Sequence, residues 1–359
     1  MINRRRFLIG LTSLVTCRTY ASSAVDFAPV FPGRKLSFPT DYGAHPQFRT
    51  EWWYATGWLA LPDGIPMGFQ ATFFRVRTGI AEGNPSAFAP HQLIFAHAAI
   101  ADPRAGQLLQ DQRAARVGFG RAGFNSGRTH VWVGDWRLEQ QKEEYVATIA
   151  GKDFSYALTL TPQGPPMLNG VDGFSQKAAD PRHASYYYSR PQITVSGTVT
   201  LAGTSQQVSG KAWLDHEWSS ELLPSTAQGW DWVGLNLNDG GALMAFRLRD
   251  QEALPIWTAA TFMKSNGTKL RLGINEISLE PTRYWQSNRT GTRYPVEWTL
   301  KLARRLLRLV PLLDDQELDS RHTTGTVYWE GAVRVYENRT EIGRGYLELT
   351  GYGEKILVR

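Results

Sequence analysis

The chain has 359 residues, 42% hydrophobic and 20% charged, which excludes a disordered polypeptide and leaves room for two domains of ordinary size. Its formal charge is +6, but Arg4, Arg5, Arg6 and Arg18 stand in the first 24 residues, where no acid occurs; without them it is +2. That removes the basic surplus on which nucleic-acid binding depends, so no nucleic-acid partner is expected. Thirteen Trp, fourteen Tyr and sixteen Phe, with 34 Gly and 19 Pro, predict an all-β protein.

Residues 1–24 have the pattern of an export signal. Arg4-Arg5-Arg6-Phe7-Leu8 carries a twin-arginine motif, residues 7–15 are a short apolar run, and Ser22-Ser23-Ala24 offers small residues for cleavage. The run is far shorter than the ~20 residues that span a bilayer. A periplasmic or secreted location is therefore expected. Lipidation at Cys17 is the alternative, although Thr16 makes a poor residue before a lipidated cysteine. Cys17 is the only cysteine, so the exported fold is held by its core and not by disulfides.

Residues 25–50, rich in Pro and Gly, predict an extended lead-in laid over a barrel surface. Glu51-Trp52-Trp53-Tyr54 then opens an aromatic strand that runs to an Asp63-Gly64 turn and returns over residues 69–77. Further strands are expected over residues 93–100, 129–138, 145–149, 154–160, 192–201 and 208–218, with turns between them and no long helix. Near the end, Lys301, Arg304, Arg305 and Arg308 interleave with Leu302, Leu306, Leu307 and Leu309. Pro311 follows closely, which favours a curved edge strand with a solvated basic face over a membrane-surface helix.

An internal repeat organises the chain. Trp53-Tyr54-Ala55-Thr56-Gly57 is echoed by Trp230-Asp231-Trp232-Val233-Gly234, and Asp63-Gly64 by Asp239-Gly240. Phe74-Arg75-Val76-Arg77 matches Phe246-Arg247-Leu248-Arg249. Tyr156-Ala157-Leu158-Thr159-Leu160 matches Trp298-Thr299-Leu300-Lys301-Leu302, and Gly210-Lys211-Ala212-Trp213-Leu214 matches Gly345-Tyr346-Leu347-Glu348-Leu349. The order is the same in both halves. Two homologous antiparallel β-barrel domains are predicted, residues 25–223 and 224–359, joined at Leu222-Leu223-Pro224-Ser225-Thr226.

One strand end concentrates chemistry: Ala212-Trp213-Leu214-Asp215-His216-Glu217-Trp218-Ser219. Alternation puts Val208, Gly210, Ala212, Leu214, His216 and Trp218 on one face, and Ser209, Lys211, Trp213, Asp215 and Glu217 on the other. The first set is apolar, so His216 and Trp218 are expected to face the core. In the second half the matching Thr350-Gly351-Tyr352-Gly353 has neither acid nor imidazole, so the fold itself does not demand the cluster. No Gly-x-Ser-x-Gly, Gly-x-Gly-x-x-Gly, phosphate loop or His-Glu-x-x-His occurs in a suitable context. His91 and His97 are the further histidines considered as donors beside Asp215, His216 and Glu217; no metal and no cofactor are expected.

What remains suits acid catalysis in an apolar pocket. A low dielectric moves a buried acid towards neutrality, and indole faces stabilise a nearby cation by about 0.5–2 kcal/mol. Protonation of an alkene followed by water attack needs those two things. His216, Trp218, Asp215 and Asp231 are the candidate catalytic residues, with Asp215 or Asp231 orienting His216. Glu51, Trp52, Trp53, Tyr54, Glu217, Trp230 and Trp232 are the candidate ligand-binding residues.

The Glu51-Trp52-Trp53-Tyr54 opening, the Asp215-His216-Glu217-Trp218 strand end and Gly229-Trp230-Asp231-Trp232 resemble the carotenoid hydratase and AttH-like family. So do Tyr328-Trp329-Glu330-Gly331 and residues 345–352. The resemblance covers residues 40–359 and implies two tandem lipocalin-like β-barrels. It implies a His-x-Trp pair, here His216 and Trp218, in the hydration of an isoprenoid end group. The family's Tyr-x-Asp pair has its nearest counterpart in Asp231. Three readings follow: a hydratase-like enzyme with His216 handling the proton, a non-catalytic carrier of lipid or isoprenoid serving an ABC-type export system, and a hydrolase using Asp215 or Glu217.

Overall fold

The computed structural model describes residues 25–303 and 305–353. The export signal expected over residues 1–24, Cys17 and Arg304 lie outside the described residues. Thirteen strands build a first sheet: β1 (Thr50–Ala60), β2 (Pro66–Arg77), β3 (Gln92–Ala101), β4 (Leu108–Arg116), β5 (Ala122–Phe124), β6 (His130–Val133), β7 (Trp136–Gln141), β8 (Glu144–Ala150), β9 (Phe154–Thr161), β10 (Met167–Leu168), β11 (Phe174–Gln176), β12 (Ala184–Leu201) and β13 (Thr204–Ser219). Ten build a second: β14 (Gly229–Leu237), β15 (Ala242–Arg249), β16 (Pro255–Met263), β17 (Lys269–Leu272), β18 (Ile277–Gln286), β19 (Arg293–Leu302), β20 (Arg305–Pro311), β21 (Glu317–Asp319), β22 (Val327–Glu337) and β23 (Thr340–Leu349). All pairings are antiparallel.

The duplication is written in the strand order. The first sheet contains β3-β2-β1-β13-β12-β9-β8, and the second repeats the same path as β16-β15-β14-β23-β22-β20-β19. Each half therefore joins its first strand to its last, the step that rolls a sheet towards a barrel. The first sheet curls until β3 and β4 meet β5 and β6, a nearly closed barrel. The second stays open, because its end strands β17 and β18 do not pair.

Alternation decides which side chains go where. Along β1, Trp53, Ala55 and Leu59 enter the first core with Phe69, Trp136 and Leu158. The second sheet has its own core around Val233, Tyr294, Trp298 and Trp329. The opposite face of β1 is buried as well. Tyr54 and Trp58 join Trp213, Trp232, Met244 and Phe246 in an apolar cluster between the sheets. Polar bonds fix this seam: Trp58 Nε1 donates to the Gly345 carbonyl (3.0 Å), and Asn236 Nδ2 to the Ala212 carbonyl (3.0 Å).

Three local expectations change. The strand expected over 129–138 is a hairpin, β6 and β7, because Gly134 adopts a left-handed φ of 61° and turns the chain. The basic segment is not an edge strand: β19 and β20 form a hairpin inside the sheet, with Leu307 and Leu309 buried and Lys301 and Arg308 exposed. The lead-in does more than cover a surface. Val30 and Phe48 pack with Tyr186, Tyr188 and Trp218, so this segment plugs one end of the barrel.

Gly57 sits where β1 and β13 approach closely. A Cβ there would stand 2.5 Å from the Lys211 carbonyl oxygen and 2.9 Å from the Ala212 Cα, both backbone atoms. Gly57→Ala is expected to destabilise the protein by about 1–3 kcal/mol, measured as a lower urea midpoint.

Candidate functional site

Strand β13 carries two different environments on its two faces. On the barrel side, His216 pairs across from Trp53 on β1 and from Tyr188 on β12. Its Nε2 donates to Glu51 Oε1 (2.8 Å), and its Nδ1 accepts from the Tyr188 hydroxyl (3.0 Å), which makes it a neutral imidazole. Glu51 also takes His45 Nδ1 on Oε1 (2.8 Å) and Arg75 Nε on Oε2 (2.7 Å). The other nitrogen of His45 reaches Asp41 Oδ1 at 3.0 Å. Both ring nitrogens of His45 thus face carboxylates, and it is held as an imidazolium. Trp218 stacks on that ring at 3.7 Å, and Trp53 on His216 at 4.8 Å.

The electrostatics follow from these partners. Burial alone would raise the Glu51 carboxyl, but Arg75 and His45 overcome it and hold it well below 4.5. Burial pushes His45 down, yet Glu51 and Asp41 outweigh it and keep it above 6.5. For His216 burial wins over the Glu51 bond, and its pKa falls. His45 Nδ1, Glu51 Oε1 and His216 Nε2 lie within 4.8 Å of one another, a possible metal-ligand set. They are already joined by two hydrogen bonds of 2.8 Å, and Arg75 occupies the other oxygen. A cation would have to displace both protons beside a guanidinium, so these donors fit a proton network better than a metal.

On the opposite face, Asp215 and Glu217 look into a cavity of about 360 Å³ between the two sheets. Its walls are mainly apolar: Trp52, Tyr54, Phe74, Phe95, Trp230, Trp232, Phe246 and Leu248. Asp215 accepts from the Tyr187 hydroxyl on Oδ2 and from Ser189 Oγ and Trp213 Nε1 on Oδ1, each at 2.6 Å. Burial nevertheless pushes its carboxyl up to about 7, since all three donors are neutral. Glu217 is paired with Lys177 Nζ (2.8 Å) and accepts from the Ser185 hydroxyl. From the second sheet come Glu330 and Glu348. Burial lifts Glu348 to about 8, with Asp215 and Glu217 adding repulsion. Burial and the Glu348 charge lift Glu330 well above the usual carboxylate range.

The candidates therefore divide. Asp215, Glu217, Trp52, Tyr54, Trp230 and Trp232 line the cavity. His216, Trp218 and Trp53 do not; they lie in the barrel end. Glu51 is at the cavity wall, but its carboxylate is turned to His45, His216 and Arg75. Asp231 is remote from His216 in its bonding: it accepts from Arg247 Nε (2.8 Å), Arg249 Nε (2.9 Å) and the Tyr352 hydroxyl (2.7 Å). The partner of His216 is thus Glu51, neither Asp215 nor Asp231. The second half is also not free of acid at its open end, as β23 stops at Leu349 and Asp231 supplies a carboxylate from the neighbouring strand.

Sequence reasoning missed His45, Asp41, Lys177, Glu330 and Glu348. The signal for the last two was present: each is an acid inside an aromatic, otherwise apolar strand motif. The pH response of the network is checkable. His45 binds its proton more tightly in the folded state, so it stabilises the protein fully below about pH 6.5 and loses that contribution as pH rises through its folded value. Glu51 acts in the opposite sense, losing its contribution as pH falls below 4.5. Urea midpoints should decline above pH 6.5 in the wild type and less so in His45→Gln. Glu51→Gln should cost about 3–5 kcal/mol at neutral pH, since it leaves buried cations unpaired.

Comparison with known proteins adds the lineage. No curated protein matches the sequence. A crystal structure of a candidate AttH from Nitrosomonas europaea is 46% identical, covers 91% of this chain and 100% of its own, and superposes with a TM-score of 0.87. Kievitone hydratase from Nectria haematococca shares the fold at 14% identity, with a TM-score of 0.67 over 92% of this chain and 97% of its own. The AttH-like family pattern matches residues 29–352. This chain is a member of the AttH-like family.

Proposed function

We propose that the protein is a hydratase-like enzyme that adds water across a carbon–carbon double bond of an apolar substrate held between the two sheets. The observation that carries this reading is Asp215: a carboxyl with a pKa of about 7, bonded only by neutral donors, facing a cavity walled by indoles. Near neutral pH it is a competent proton donor. Its proton passes to one alkene carbon, and the electron pair of the double bond forms the new C–H bond. The positive charge left on the other carbon faces the rings of Trp52, Trp230 and Trp232. Water attacks that carbon and returns a proton to the Asp215 carboxylate, so the acid is regenerated and the net change is the addition of H2O.

In this account His216 does not touch the substrate. With Glu51 and His45 it holds β13 against β1 and so positions Asp215 on the far face. A carrier needs no acid in its cavity, whereas four carboxyls line this one, which supports the catalytic reading. A hydrolase is the second reading, because Glu217 and Asp215 both reach the cavity. The export signal read at residues 1–24 would deliver the folded enzyme to the periplasm or beyond.

The test is incubation with a panel of isoprenoid and other alkenes, including esters of isoprenoid alcohols, in H2¹⁸O. One ¹⁸O is expected in the alcohol product, and Asp215→Asn should lower turnover by about 10²–10⁴-fold, the usual worth of a general acid. The rate should fall as pH rises past about 7, where Asp215 loses its proton. Label appearing only in cleaved esters favours the hydrolase, and no label in any product removes both.

A further inference from the structure

The cavity has more acid than alkene hydration needs. Four carboxyls face it, and Lys177 is the one cation among its described lining residues that is directed at it; Lys177 is already paired with Glu217. Arg75 is committed to Glu51. His97 is neutral, driven down to about 3 by burial, with its two nitrogens bonded to the Tyr328 hydroxyl and to Thr323 Oγ1, both at 2.8 Å. Glu330 and Glu348 are left with no cation. Glu330 Oε2 accepts from Gln70 Nε2 (2.7 Å), and Glu348 Oε1 from Trp230 Nε1 (3.0 Å).

A second observation lies on the same wall. The Tyr54 hydroxyl and Glu330 Oε1 are neighbours, yet neither completes a hydrogen bond of normal geometry. Tyr54 is 4% exposed and Glu330 2%, so neither atom has open solvent to satisfy it. Facing each other in imperfect geometry, this donor and acceptor leave bonding capacity at the cavity wall that a polar group from a ligand can take up. The rings of Tyr54, Trp230 and Trp232 stand around it. Carboxyls without cations, framed by aromatic faces, are the chemistry that recognises a positively charged nitrogen.

We propose that the wall formed by Tyr54, Glu330, Glu348 and Trp230 seats a cationic nitrogen, so that the substrate is an apolar molecule carrying a basic amine or quaternary ammonium group. This rests on the cavity being the substrate site and is independent of water addition. Without such a ligand the two glutamic acids stay protonated, since nothing offsets their charge. The ligand's charge lets them ionise and give up protons. A neutral apolar ligand offers these acids nothing to offset their ionisation, and an anion finds no free cation among the described residues of this wall to pair with. The ammonium would anchor one end of the molecule at the second sheet while its double bond reaches Asp215 on the first.

The test is a matched series binding to the full-length protein with its signal removed: octyltrimethylammonium, octanol and octanoate, followed by tryptophan fluorescence at constant pH. The ammonium should bind at least about tenfold tighter than octanol, with octanoate weakest. The ratio of ammonium to octanol affinity should collapse towards one in Glu330→Gln and in Glu348→Gln. Equal binding of octanol and the ammonium by the wild type overturns the proposal, and that comparison stands even if a variant does not fold. Persistence of the ratio in the folded double variant overturns it too. A charge preference without ¹⁸O incorporation leaves the seat standing and removes the hydratase. Hydration of neutral alkenes without a charge preference does the reverse.

Discussion

The pairing of β1 with β13 is the constraint from which the rest follows. It joins the first strand of the first sheet to its last, and it is buried on both sides: the barrel core lies on one face and the second sheet on the other. Successive residues of β13 therefore alternate between two interiors. His216 and Trp218 belong to the barrel end, Asp215 and Glu217 to the cavity between the sheets. Four adjacent residues thus serve two separate chemistries, and neither set can be moved without shifting the register that holds the other.

Glu51 and Asp215 show how one scaffold sets opposite protonation states. Both carboxyls are buried. Glu51 meets a guanidinium and an imidazolium, and its charge is retained. Asp215 meets two hydroxyls and an indole N–H, which cannot repay the loss of water, and its pKa climbs to about 7. The charged network stiffens the strand pair, while the acid across the pair stays available for proton transfer. Lys177 plays a part in keeping the two regimes apart. It neutralises Glu217, two residues along β13 from Asp215, over the ring of Phe246 at 4.1 Å.

Much of this was legible in the sequence. The aromatic strand, the Asp-Gly turn and the repeated Phe-Arg-x-Arg predicted an all-β duplication, and the strand order repeats; the Tyr156–Leu160 and Trp298–Leu302 match is out of step with it, because Trp298 lies on β19 whereas the counterpart of β9 is β20. The alternation along 208–218 was also read correctly as geometry. What it could not convey is which of two buried faces holds the cavity, because that depends on the second sheet docking against Trp213 and Tyr54. His45 was invisible for a related reason: it comes from a Pro-rich lead-in with no periodicity, and only the tertiary fold brings it to Glu51. Whether the second sheet closes depends on the edges β17 and β18 meeting, which no local pattern encodes. Asp231 is only the nearest counterpart, without its tyrosine, of the family's Tyr-x-Asp pair, and Arg247 and Arg249, themselves part of the repeat, neutralise it where it stands.

The central claim is that Asp215 keeps its proton up to about pH 7 while Glu51, across the strand pair, is ionised. Infrared difference spectra of wild type minus Asp215→Asn measure this directly. The account predicts a protonated-carboxyl C=O band at about pH 6 that fades through about pH 7 and is gone by about pH 9. A carboxylate band alone, already present at about pH 5, would contradict it.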